Sequence, residues 1–138
     1  MLKKRILSID YGLKKSGISI TDYFKHYAIA HSCIKTKNLL KNLKEIINKE
    51  KIDVIVLGLP KKLNNKNQLL TNKVYKLQQI LLKKYPKLIV DLIDERYTSK
   101  LALYYLNLIK YPKSKIKDQI HIMSAILILQ SYLKNKKI

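Results

Sequence analysis

The chain has 138 residues and a mass of 16.2 kDa, with 47% hydrophobic and 28% charged residues, the make-up of one folded domain rather than a disordered chain. Its single cysteine, Cys33, excludes a disulfide framework and an all-cysteine metal site, and fits a reducing cytoplasm. Lys and Arg number 29 against 9 Asp and Glu, a net charge of +20, which favours a polyanionic partner, nucleic acid before anionic membrane. The longest uncharged run, Gln119–Leu133, falls short of the roughly 20 apolar residues that a bilayer span needs. Met1–Arg5 runs straight into a short apolar strand, so no signal peptide is expected.

Arg5–Ile9 is an apolar run ending in Asp10, and Gly17–Thr21 and Tyr27–Ile34 alternate as strands do. Leu39, Leu40, Leu43, Ile46 and Ile47 recur at helical spacing, with Thr36 or Asn38 as the cap. Val54–Leu57 is a continuous apolar run, the mark of a strand buried on both faces. Leu69–Tyr85 reads as a helix stopped by Pro86, and Leu88–Ile93 as a second buried strand. A helix over Thr98–Leu108, a basic loop over Lys110–Lys117 and a final helix to about Lys134 complete the chain. The order β-β-β-α-β-α-β-α-α predicts an α/β fold with a mixed five-stranded sheet, its first strands an antiparallel meander and its later ones parallel crossovers. In such sheets ligands bind beyond the carboxyl ends of the parallel strands. Asp10, Gly58 and Glu95 fall there.

Scarce residues direct the search further. The glycines Gly12, Gly17 and Gly58 all lie beside strand ends, where backbone turns or a ligand comes close. Most of the carboxylates suit surface ion pairs, caps or turns, Asp22 following the second strand being a turn residue. Asp10 differs, because it ends an apolar strand where a charge is costly without a partner. Glu95 leaves a buried strand within Asp94-Glu95-Arg96-Tyr97-Thr98, either as a local partner of Arg96 or as a second acid of the same site. Carboxylates crowded at one sheet edge repel unless a proton or cation intervenes. Oxygen ligands with open positions favour Mg²⁺ or Mn²⁺ over zinc, and such ions support phosphodiester hydrolysis. Asp118 and His121 are spaced to share one helical face, so either could join the cluster. Lys110, Lys113, Lys115 and Lys117 could hold phosphates, since no acid lies between Glu95 and Asp118.

Four segments stand out in order: Ile9-Asp10-Tyr11-Gly12-Leu13-Lys14-Lys15-Ser16-Gly17-Ile18, Val56–Asn65 with its Gly58-Leu59-Pro60, Asp94–Ser99 followed by Ala102, and Ser124-Ala125 through Leu133. Together they resemble the YqgF-type pre-16S rRNA nucleases, also called Holliday junction resolvase-like. The resemblance covers nearly the whole chain. It implies an RNase H-like fold over 1–138 and a cytoplasmic, metal-dependent hydrolase that cuts RNA at the 5′ end of pre-16S ribosomal RNA during ribosome biogenesis. A non-catalytic assembly factor and a resolvase of branched DNA are the rival readings. Asp10 and Glu95 match two catalytic acids of the family, while the third position falls on His121, with Asp118 one turn earlier. The implied metal set is therefore Asp10, Glu95 and either Asp118 or His121, holding Mg²⁺ or Mn²⁺. Lys14, Lys15, Lys61, Arg96, Lys113, Lys115 and Lys117 would grip flanking phosphates. Lys15 stands where many members carry arginine, which keeps the charge but loses the forked donor geometry.

Overall fold

In the computed structural model, the residues described are 4–60, 65–95, 98–110, 112 and 116–136; of these, the side chains at 65–67, 95, 98–100 and 136 are left aside. Three antiparallel strands lead, β1 (Arg5–Asp10), β2 (Lys15–Thr21) and β3 (Ala28–Lys35). A short 3₁₀ turn, Thr36–Asn38, enters α1 (Leu39–Lys49), and β4 (Ile52–Pro60), α2 (Asn65–Lys84) and β5 (Ile89–Glu95) follow. The chain then runs through α3 (Thr98–Leu108) and α4 (Ile116–Lys136). The sheet order is β3-β2-β1-β4-β5, antiparallel across β3, β2 and β1 and parallel across β1, β4 and β5. This is the mixed five-stranded sheet that the sequence predicts.

Alternation along the strands divides the core in two. Leu7, Ile9, Ile18, Ile20, Ile55 and Leu57 face α1 and α2, whose Leu39, Leu43, Ile46, Ile47, Val74, Leu77 and Leu81 close that side. Ile6, Val54 and Val56 face the other way, onto Ile128, Leu129, Tyr132 and Leu133 of α4. Each such fully buried aliphatic side chain is worth about 1.5–3 kcal/mol against exposure. α3 packs on α4 rather than on the sheet.

The apolar run Val54–Leu57 marks only the middle of β4. The strand runs from Ile52 to Pro60 because β1 and β5 pair with it on both sides, carrying the ladder past Gly58 to the Pro60–Glu95 pair. The helix caps also differ from expectation. Neither Asn38 nor Thr36 caps α1 through its side chain, because the Thr36 hydroxyl is used elsewhere.

α1 ends with Glu50 donating its N–H to Ile46, and Lys51 follows in the left-handed region at φ 55. That position favours glycine, since a Cβ there crowds the neighbouring carbonyl. Lys51→Gly is expected to stabilise the fold by about 0.5–1 kcal/mol, read as a higher denaturant midpoint with an unchanged slope.

Candidate functional site

Asp10 closes β1 with its side chain only 10% exposed. A carboxylate so placed must find a charge, a donor or a cation. The structure gives it the imidazole of His121, whose Nδ1 lies 3.2 Å from Oδ2 and whose side chain is 31% exposed. His121 comes from the second turn of α4, more than a hundred residues away in the chain.

Close packing of α4 on the sheet makes this pair. Asp10 is opposite Gly17 in the antiparallel ladder, and a Cβ on Gly17 would stand 2.0 Å from the His121 carbonyl oxygen and 2.7 Å from the Ile122 nitrogen. No glycine among the described residues has a positive φ, so Gly17 is required for room rather than for a turn. It lies inside β2, which begins two residues before the strand start read from the sequence. Two residues along, the Ser8 and Ser19 hydroxyls share a 2.5 Å hydrogen bond, and both lie within hydrogen-bond distance of the Ala125 carbonyl, at 2.7 and 3.0 Å. Small side chains thus bring a helix carbonyl within hydrogen-bond reach of the sheet. Further along, the Tyr132 hydroxyl donates to Asp91 Oδ2 at 2.5 Å. Desolvation, then that bond to Asp91, raises the Tyr132 phenol well above its ordinary range. Asp91, inside β5, therefore anchors α4.

The loop after β1 is held just as firmly. The Thr36 hydroxyl donates to the Gly12 carbonyl at 2.7 Å and shares a 2.8 Å bond with Ser16, and its N–H reaches the Lys14 carbonyl at 2.9 Å. A Cβ on Gly12 would meet the Lys15 carbonyl oxygen at 2.3 Å and the His121 ring at 3.1 Å. The loop, β2 and α4 therefore close around Asp10 as one packed unit.

Asp118 and His121 share a helix but not a partner. Asp118 is 54% exposed and accepts from Lys15 Nζ at 2.5 Å. The hydrogen bond from Lys15 holds the Asp118 carboxyl below the usual range and raises the Lys15 ammonium in turn. This exposed pair contributes little to stability, but it engages both groups. Lys14 and Lys117 are exposed at the same end of the sheet. Cys33 is level with Gly17 in the next ladder, and burial, reinforced by the Asp118 and Asp10 carboxylates, pushes its thiol up. It is a protonated, inert neighbour at neutral pH.

Position 95 ends β5, paired with Pro60, while Asp10 is level with the Gly58 row by extension of the Ile9–Leu57 pairing. Both strands thus deliver their acids to one end of the sheet. The Glu95 side chain is outside the described residues, as are Lys61, Arg96, Lys113 and Lys115. Among the described residues no group of three or more His, Cys, Asp and Glu side chains is arranged to hold a metal ion, and no helix is long and apolar enough to cross a membrane.

Residues 4–135 match the family described as RuvX, Holliday junction resolvase. A protein of Karelsulcia muelleri (strain GWSS), named "Putative pre-16S rRNA nuclease", is 36% identical over 135 residues covering 94% of this chain and 98% of its own. A relative of the same name from Phocaeicola vulgatus is 35% identical and covers 96% and 97%. Among solved structures, T. thermophilus RuvC in complex with Holliday junction substrate is similar over 97% of both chains, with a TM-score of 0.61 at 10% identity. That likeness is one of fold, the RNase H-like arrangement.

Proposed function

The chain belongs to the RuvX family, and from that premise we propose that it is a divalent-cation-dependent endonuclease that hydrolyses phosphodiester bonds of precursor ribosomal RNA near the 5′ end of 16S rRNA. The observation that carries the reading is the buried Asp10 carboxylate facing His121 at the carboxyl end of β1, in a chain of net charge +20.

The donor set fits a cation. A buried carboxylate oxygen with an imidazole nitrogen 3.2 Å away as its neighbour is a donor pair whose chemistry suits a divalent cation. Asp10 and His121 would hold the ion, with Glu95 as the third ligand. When bound, the cation supplies charge to polarise the scissile phosphate and steady the departing oxygen. Asp10 would contribute the anionic ligand that fixes the site. Lys14, Lys15 and Lys117 grip flanking phosphates, with Lys61, Arg96, Lys113 and Lys115 extending the track. Lys15 must exchange Asp118 for phosphate when the substrate arrives, which makes Asp118 a competitor for Lys15 rather than a ligand. Because phosphate contacts dominate, binding weakens steeply with salt and reads sequence poorly.

The test is cleavage of a 16S precursor leader against a four-way DNA junction at equal salt, with Mg²⁺ and Mn²⁺ titrated separately. Cutting of the leader in preference to the junction is expected, whereas RNA binding without product in either metal would leave an assembly factor. Since imidazole suits transition ions better than Mg²⁺, Mn²⁺ is expected to be the better activator. His121→Asp is expected to shift the preference toward Mg²⁺ by about tenfold in metal affinity. It also sets two carboxylates side by side, so its melting temperature should fall in chelator and recover with Mg²⁺ more than the parent's does. Equal Mg²⁺ response in the two proteins would remove His121 from the ligand set.

A further inference from the structure

The opposite end of the sheet carries a second built surface. The β2–β3 loop runs from Asp22 to Tyr27 and begins five residues past Gly17, the partner of Asp10, about 17 Å away at roughly 3.3 Å per residue. Asp22 organises it: Oδ1 accepts the N–H groups of His26 at 2.8 Å and Tyr27 at 2.7 Å, and Oδ2 accepts that of Phe24 at 3.1 Å. Desolvation opposes ionisation, but the backbone bonds from Tyr27, His26 and Phe24 prevail and hold the Asp22 carboxyl below its usual range. The loop is thereby fixed while its rings stay in solvent. Phe24 is 65% exposed and Tyr27 71%, with Phe24 stacked on His26 and His26 edge-on to Tyr27.

A rigid loop presenting aromatic rings to water is unfavourable for folding and suited to recognition. Between it and the end of α4 lies an open cleft of about 290 Å³, lined by His26, Tyr27, Ala28, Gln130, Leu133 and Lys134. That volume is at the lower edge of the small-ligand range, about 300–1,000 Å³. Its lining combines flat rings, an apolar floor, an amide able to meet a base edge and an ammonium able to meet a phosphate. Among the described residues Arg5 is paired with Glu50 and Lys25 with Asp53, while Lys134 lines the cleft, where its ammonium can meet a phosphate.

We propose that this loop and the carboxyl-terminal half of α4 form a second nucleic-acid contact that stacks an unpaired base of single-stranded RNA on Tyr27, beside the edge-on His26 ring and several nucleotides from the Asp10 site. Charge selects the occupant, because a second copy of the chain would bring another +20 to the interface, whereas a single strand offers both the phosphate and the ring. Helix α4 links the two surfaces, supplying His121 at one end and Gln130, Leu133 and Lys134 at the other. The proposal deepens the nuclease reading by giving it a flanking single strand as substrate, and rests on it for the choice of RNA.

The chain contains no tryptophan, so Tyr27→Trp creates a single reporter on an exposed position. In an Asp10→Asn background, which prevents cutting, a ten-nucleotide single-stranded RNA is expected to quench its emission with the midpoint seen by anisotropy. A duplex of the same length and heparin, a polyanion without rings, are expected to bind without quenching. Tyr27→Ala should weaken single-strand binding about tenfold, within the range for base–aromatic stacking, and Tyr27→Phe should retain it. Unchanged emission during binding, equal quenching by heparin, or full affinity of Tyr27→Ala would each overturn the proposal. Quenching by RNA in a protein that cuts nothing in any metal would instead sink the nuclease reading and leave this contact standing.

Discussion

Asp10→Asn is expected to lower cleavage of the precursor leader by about a thousandfold or more while RNA affinity holds or rises. The substitution keeps the shape of the side chain and removes the negative charge that a cation needs, a transition-state loss of several kcal/mol at about 1.4 kcal/mol per decade. Binding should not suffer, because the polyanion meets one negative charge fewer. Stability should move the other way. The Asp10 side chain is only 10% exposed, with His121 as its neighbour, and an ionised carboxylate in that setting costs folding energy that an amide does not. A melting temperature a few degrees above the parent's in chelator, together with lost cleavage, is the combined signature of a residue kept for chemistry. Cleavage at near the parental rate would reject the site.

Gly17→Ala is expected to destabilise the fold and weaken the site together. Its Cβ would stand 2.0 Å from the His121 carbonyl oxygen and 2.2 Å from its carbon, against an ordinary contact of at least 3.4 Å. Both are helix backbone, which cannot swing aside as a flexible side chain can. α4 would have to retreat by more than about 1 Å, straining the Ser8 and Ser19 bonds to Ala125, at an overpacking cost of about 1–3 kcal/mol or more. Because His121 rides on the displaced turn, Mn²⁺ affinity should fall with stability. Ile18→Val is the control. It trims the next residue of the same strand on the opposite face, costing about 0.5–1.5 kcal/mol, and should leave metal affinity unchanged. Loss of stability in Gly17→Ala with parental metal binding would separate α4 from the site.

Much of this architecture was legible in the residues. Apolar runs and helical spacing placed each element, and the switch from short links to helical crossovers foretold antiparallel pairing on one side of β1 and parallel on the other. The strand-end position of Asp10 followed from the same pattern. Boundaries were less legible where pairing, not composition, extends a strand, as at Gly58-Leu59-Pro60 in β4. Three roles had no local signal. Thr36 looks like a helix cap but binds the loop beside Asp10. Ser8 and Ser19 read as ordinary alternating strand residues, although both serve a helix carbonyl more than a hundred positions away. The exposed rings of the β2–β3 loop gain meaning only once Asp22 is seen to fix three backbone N–H groups.

By itself the sequence determined the mixed sheet, the cationic surface and the isolation of Asp10 at a strand end, because periodicity, net charge and the rarity of acids are properties of the chain alone. Only the tertiary structure shows which of Asp118 and His121 faces Asp10. Their three-residue spacing puts both on one face of α4, but how near that face comes to the sheet depends on Gly17, Ser8 and Ser19 meeting one helix turn. That contact turns His121 to Asp10 and leaves Asp118 to Lys15 at the rim.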